Sequence, residues 1–165
     1  MIIQKTQDYL NYVKEHKQNV KLAWKELQEK CEGKGFSFIY DDWKYHILCS
    51  LIEKHDDSKL SNEEFIPYRQ KFYPCEGENI DKSLFGVAWE HHKNNNPHHW
   101  EHWLNHEPST PYDKSMYAVE MVCDWMAMGY KFGDTAESFY LNNKNKIILP
   151  VSEDYIFEIF NAIKQ

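Results

Sequence analysis

A single arginine, Arg69, is found among 165 residues, and that scarcity removes the bidentate phosphate clamps on which nucleic-acid surfaces depend. The 19 Lys+Arg are outnumbered by 26 Asp+Glu, giving a formal net charge of −7 with nine histidines neutral. No basic stripe is left to neutralise a polynucleotide, so bulk nucleic acid is disfavoured as a partner. Long apolar runs are missing too. Nothing approaches the roughly 18 consecutive apolar residues of a membrane span, and Met1-Ile-Ile-Gln-Lys-Thr-Gln lacks a signal-peptide core. The expectation is a cytoplasmic chain with no membrane contact. Cys31, Cys49, Cys75 and Cys123 contain no Cys-x-x-Cys pair, which argues against a zinc ribbon and against a disulfide framework. Reduced thiols follow, with Cys49 and Cys123 expected to be buried on helices. Repeats, low-complexity tracts and strand-turn-strand signals are also absent. The length suits one domain, 1–165, around a single core.

What is present is helical periodicity. Tyr9, Tyr12, Val13, His16, Val20 and Leu22 to Leu27 follow an i, i+3, i+4, i+7 pattern, which predicts a helix over 7–30 closed by the glycines of Cys31-Glu-Gly-Lys-Gly35. Asp41-Asp42 caps a second helix with Trp43, Ile47, Leu48, Leu51 and Ile52 on its apolar face, ending at His55-Asp56. Ser61-Asn-Glu-Glu64 reads as a capping box opening a third helix to about Phe72, followed by a polar loop from Pro74 to Ser83. A fourth helix covers roughly Lys82 to Asn94. Asn96-Pro97 predicts a cap with proline at the first helical position, placing His98 and His99 in the first turn of a fifth. Asp113 to Met128, ended by Gly129, Asp134 to Asn142 and Ser152 to Lys164 supply three more, with Lys146 to Val151 extended. The fold class is all-α, a single-domain helical bundle.

Onto that scaffold fall the residues that carry chemistry. Imidazoles and carboxylates are the donors a divalent transition metal needs, and here they are grouped: His55-Asp56-Asp57-Ser58-Lys59, the doublets His91-His92 and His98-His99, and Glu120 with Asp124 one helical turn apart. His16 shares a face with Tyr9, Val13 and Val20, so its ring should point inward. His92 shares one with Phe85, Ala88 and Trp89, while His91 sits about 100 degrees round. Alternatives stand beside these readings. His46 can replace His16 as a ligand, Lys59 can be an ordinary solvated lysine, and Glu120 can be a surface charge or a group orienting a ligand histidine. His102 and His106 read as rim or surface, because His-Glu-x-x-His is not formed. Trp24, Trp43 and Trp125 read as core. Trp89, Trp100 and Trp103, near the doublets, read as core or as a pocket wall.

The order His16, His55-Asp56, histidines at 91/92 and 98/99, then Asp124 resembles the H…HD…H…H…D ligand series of the HD-domain superfamily of metal-dependent phosphohydrolases, with Lys59 matching its HDxxK variant. The longer pattern, His-Asp-x-Ser-Lys-x-x-x-x-Glu-Phe, Ala-Trp-x-His-His, Asn-Pro-His-His-Trp and Glu-Met-x-x-Asp-Trp, is more similar to a family of small HD-like proteins and spans about residues 9 to 150. The His-His-Glu and GYP signature of the cyclic-dinucleotide branch is not present. The resemblance implies an HD-like bundle holding one or two divalent ions, of iron, manganese or zinc. His16, His55, Asp56 and Asp124 would surround the first, and Asp56 would bridge to a second held by histidines from His91/His92 and His98/His99. It further implies metal-activated hydroxide attacking phosphorus, with Lys59 on a non-bridging oxygen. The expected activity is hydrolysis of a small phosphate ester, for instance a nucleotide, with Asp56 and Lys59 in catalytic roles. The alternatives are a di-iron HD-type oxygenase and a non-catalytic, metal-stabilised nucleotide-binding module. A homodimer is compatible with the sequence.

Overall fold

Periodicity carries through to the backbone. The computed structural model describes residues 1–106 and 111–164, without the side chains of 111–113. Among the described residues are eight α-helices and no strand: α1 Ile2–Cys31, α2 Ser37–Tyr40, α3 Asp42–Lys54, α4 Phe65–Phe72, α5 Lys82–Asn95, α6 Pro111–Phe132, α7 Ala136–Asn143 and α8 Glu153–Lys164. Two 3-10 turns, Asp57–Leu60 and Trp100–Leu104, join them. No helix among these residues is long and apolar enough to cross a membrane.

Two long helices form the axis. The buried stripe of α1 runs Tyr9, Val13, His16, Val20, Trp24, Leu27 and Cys31, so one histidine occupies a core position in an otherwise apolar row. Along it lies α6, buried on nearly all sides from Met116 to Ala127, as expected of a helix apolar around its circumference. The C-terminal half of α1 packs with α3, α6, α7 and α8 into the larger apolar cluster. Its N-terminal half packs Tyr9 and Val13 against Tyr68 of α4 and Ala88 of α5 in a smaller one. Each fully buried Leu or Ile in these clusters contributes on the order of 1.5–3 kcal/mol. His16 lies at the seam between them.

Several local expectations are corrected. The capping box at Ser61 does not form: α4 starts at Phe65 with no side-chain cap, because the Glu64 carboxylate is turned to two histidines. His98 and His99 are in a turn and not in a fifth α-helix. Asn96 closes α5 by donating to the His92 carbonyl at 2.6 Å, while Trp103 Nε1 donates to the Pro97 carbonyl at 2.8 Å and pins the turn. Gly129 lies inside α6, which continues to Phe132; the left-handed Gly133 (φ 73°) follows it. A Cβ on Gly129 would meet the Asp134 carbonyl oxygen at 2.4 Å, so glycine is required there by the reversal and not as a stop. Trp43 is 54% exposed and lies outside the core, and Cys49 is only half-buried. The lone Arg69 is buried on α4 and grips Glu78 with both terminal nitrogens, tying down the 73–81 loop.

Candidate metal centre

The centre grows from the end of α3. His55 is its C-cap, and Asp56 adopts φ 58°, ψ 19°, making it the one non-glycine in the left-handed region among the described residues. A short polar side chain tolerates that conformation best after glycine. The bend turns the Asp56 side chain back toward His55. Below it, the Tyr9 hydroxyl donates to the Lys59 carbonyl at 2.9 Å, anchoring the 3-10 turn to α1.

Asp56 is the hub. Its Oδ2 lies 3.2 Å from His16 Nε2 and 3.5 Å from His55 Nε2; Asp124 Oδ1 is 3.1 Å from the same His16 nitrogen. Its Oδ1 faces the other way, 3.3 Å from His92 Nε2 and 3.5 Å from His98 Nε2, and His99 Nε2 stands 2.9 Å from His92 Nε2. Two groups result, His16-His55-Asp124 and Asp56-His92-His98-His99, each with donor atoms within 4.8 Å of one another. Both are of a kind that can hold a metal ion.

The opposite edges of the rings are occupied. His55 Nδ1 and His98 Nδ1 both direct their N–H to one oxygen of Glu120, at 2.9 and 3.2 Å. His92 Nδ1 donates to Glu64 Oε2 at 2.8 Å, in a spot also touched by Ser58 Oγ and Asn96 Nδ2. With Nδ1 carrying the proton, Nε2 of each ring offers its lone pair inward, the carboxylate–histidine arrangement typical of metal ligands. His55, His98 and Glu120 form a third close trio, but those two N–H···O contacts satisfy it as it stands. The chemistry on the inner side is different. Asp56 Oδ1 and His98 Nε2 are buried with no hydrogen-bond partner, which carries a penalty of about 1–3 kcal/mol per group unless something compensates. A divalent cation held by Asp56 with His92, His98 and His99 would satisfy both, so the residues fit a metal.

The charged groups of the cluster shift one another's protonation. Burial opposes ionisation of Asp56, yet Lys59 and His55, with His16 and His92 close by, hold its carboxyl well below the usual range. Burial likewise disfavours the Glu120 carboxylate, but His98 and His55 bring it down to about 2. For His98, burial is overcome by Glu120 and Asp56, which push it up to about 10, so a metal taking its Nε2 would have to displace a proton. His16 rises to about 9 against burial because Asp124 and Asp56 face it. His99 goes the other way: burial, then His98 and His92, lower it well below the ordinary imidazole value. It is a neutral donor.

Not every candidate joins the centre. His91 points its Nδ1 at Glu64 Oε1, 2.7 Å away, with its side chain about a third exposed, and falls outside both groups; in this doublet His92 is the inward ring. Both His98 and His99 face the cluster, so the second doublet is used twice. Lys59 is buried, with Nζ 2.6 Å from Asp56 Oδ2, and is not a solvated lysine. His46 is exposed on α3. His102 stacks on His106 with ring centroids 4.1 Å apart, away from the cluster. Glu64 was missed as a site residue because Ser-x-x-Glu is a locally complete explanation for it. The available signal was its pairing with two inward or near-inward histidines. A cavity of about 570 Å³ reaches His16, Asp56, Lys59, His98, His99 and Asp124.

Residues 5–165 match the family described as a family of unknown function (DUF5662), and the chain belongs to it. No curated protein and no solved structure matches the chain.

Proposed function

We propose that this member of the family is a metal-dependent phosphohydrolase of HD type, acting on a small phosphate ester. The observation that supports the reading most is Asp56: a buried carboxylate in a left-handed bend, each oxygen facing a separate set of histidine lone pairs. His16, His55, Asp56 and Asp124 would hold one ion, and Asp56, His92, His98 and His99 a second. When bound, such ions activate water and polarise a phosphoryl oxygen. Lys59 supplies positive charge at the metal end of the cavity. Its ammonium, kept protonated by Asp56 against the effect of burial, would bind a non-bridging phosphate oxygen. Glu120 and Glu64 hold ring protons on Nδ1 and keep Nε2 aimed inward. Indole and phenyl rings line the cavity beside the centre.

The test is phosphate release from a panel of phosphomonoesters by protein reconstituted with Mn²⁺, compared with Lys59→Ala. Wild type should turn over and Lys59→Ala should keep its metal while losing about 10²-fold or more in kcat, the size of one lost charge-stabilising contact. Equal rates in the two would return Lys59 to an ion-pair role only. Oxygen uptake by an iron-loaded chain with no phosphate release would overturn the hydrolase reading in favour of an oxygenase.

A further inference from the structure

The cavity that meets the metal centre is unusual in what surrounds it. Beyond the ligand residues its wall is built from Trp89, Trp100, Trp125, Met128, Phe132 and Phe139. Two of these are left open to solvent, Phe132 at 67% and Phe139 at 37% exposure, although Phe139 lies 5.6 Å from the buried Trp125 ring. Large aromatics left exposed beside a concavity, when the core of α6 and α7 is already satisfied by Trp125 and Tyr140, mark a surface for a ligand. The volume of about 570 Å³ falls in the ordinary range of small-molecule sites, roughly 300–1,000 Å³.

Charge on the wall narrows the choice. Apart from the residues of the metal centre, the charged groups lining it are Lys59, engaged with Asp56, and Lys146 on one side of the balance and Glu101 and Asp134 on the other. No arginine is within reach, because Arg69 is bound to Glu78. A second or third phosphate would meet carboxylates with at most one lysine to compensate, an arrangement that selects against polyanions.

Resting on the phosphohydrolase reading, we propose that the substrate is a monophosphate ester whose organic part is flat, aromatic and uncharged. Its single phosphate would lie at Lys59 and the metal centre, and its ring against Phe132, Phe139 and the tryptophans. Nucleoside triphosphates and cyclic dinucleotides are excluded as preferred substrates.

Binding of non-hydrolysable phosphonates to Mn²⁺-loaded protein, measured by calorimetry, separates this inference from the reading it rests on. 1-Naphthylmethylphosphonate should bind at least tenfold tighter than ethylphosphonate, and propane-1,3-bisphosphonate no tighter than ethylphosphonate. In Phe132→Ala/Phe139→Ala, whose changes are at exposed positions and leave the ligand residues intact, the naphthyl advantage should fall below threefold while ethylphosphonate affinity is kept. Equal affinity of the naphthyl and ethyl compounds, or tightest binding of the bisphosphonate, overturns the substrate inference alone. Failure of every phosphonate to bind the loaded protein overturns the phosphohydrolase reading itself.

Discussion

Asp56 must satisfy two demands at once, a left-handed backbone and a charged carboxylate with one oxygen facing each group of histidines. Asn meets the first as well as Asp does and fails the second, so Asp56→Asn isolates the charge. It should fold with unchanged helix content by circular dichroism and lose its metal; full metal occupancy in that variant would contradict the bridging role. Glu120 and Glu64 act one step out. One Glu120 oxygen holds rings from both groups, whereas Glu64 holds His92 alone of the ligand set. Glu120→Gln should therefore weaken both metal equivalents in a titration and Glu64→Gln only one, each by about 10–100-fold. Equal loss in the two variants would break the asymmetry. His16 and the inward phase of His92 were legible because a helix fixes the direction of every side chain. The use of both His98 and His99 was not, since a turn has no such phase.

Between residue and domain, the reversal from α6 to α7 depends on Gly129, where a Cβ would run into the backbone of Asp134. Gly129→Ala should destabilise the fold by about 1–3 kcal/mol, as overpacking does, read from the midpoint of urea unfolding; no change would mean the reversal is free to shift. Arg69 and Glu78 fix the loop that leads into α5. The Arg69 hydrogen bonds, then Gln70, depress Glu78 to about 2, so the carboxylate binds its proton less readily folded than unfolded. Stability from the pair is complete above the ordinary Glu value of about 4.3 and is lost as pH falls from there through 2. The gap in melting temperature between wild type and Glu78→Gln should be flat above pH 5 and close toward pH 2; a gap independent of pH would remove the ionic account. Helices as elements were readable from apolar spacing, and Asp41 does cap α3 by accepting from the Trp43 and Lys44 amides. Element ends were less so. Glu64 and Asn96 carry ordinary local cap signals, and both are claimed by tertiary partners.

At the scale of the molecule, two apolar clusters meet along a seam of buried histidines and acids. Such a seam is costly to bury without compensation, and a cation bound only by the folded state adds RT ln(1 + [L]/Kd), about 2.7 kcal/mol at a hundredfold excess over Kd. Chelator should lower the melting temperature and Mn²⁺ or Zn²⁺ restore it, with no such response in Asp56→Asn. The all-helical architecture was legible because no competing strand pattern exists. The seam's position was legible only in part, through one histidine in the apolar row of α1. Whether this seam holds metal is decided by elemental analysis per chain, on protein purified without chelator beside Asp56→Asn. One or two equivalents of iron, manganese or zinc are expected in the wild type, with loss of them in the variant. A metal-free wild type that neither takes up these ions nor gains stability from them would contradict the assignment of a metal centre.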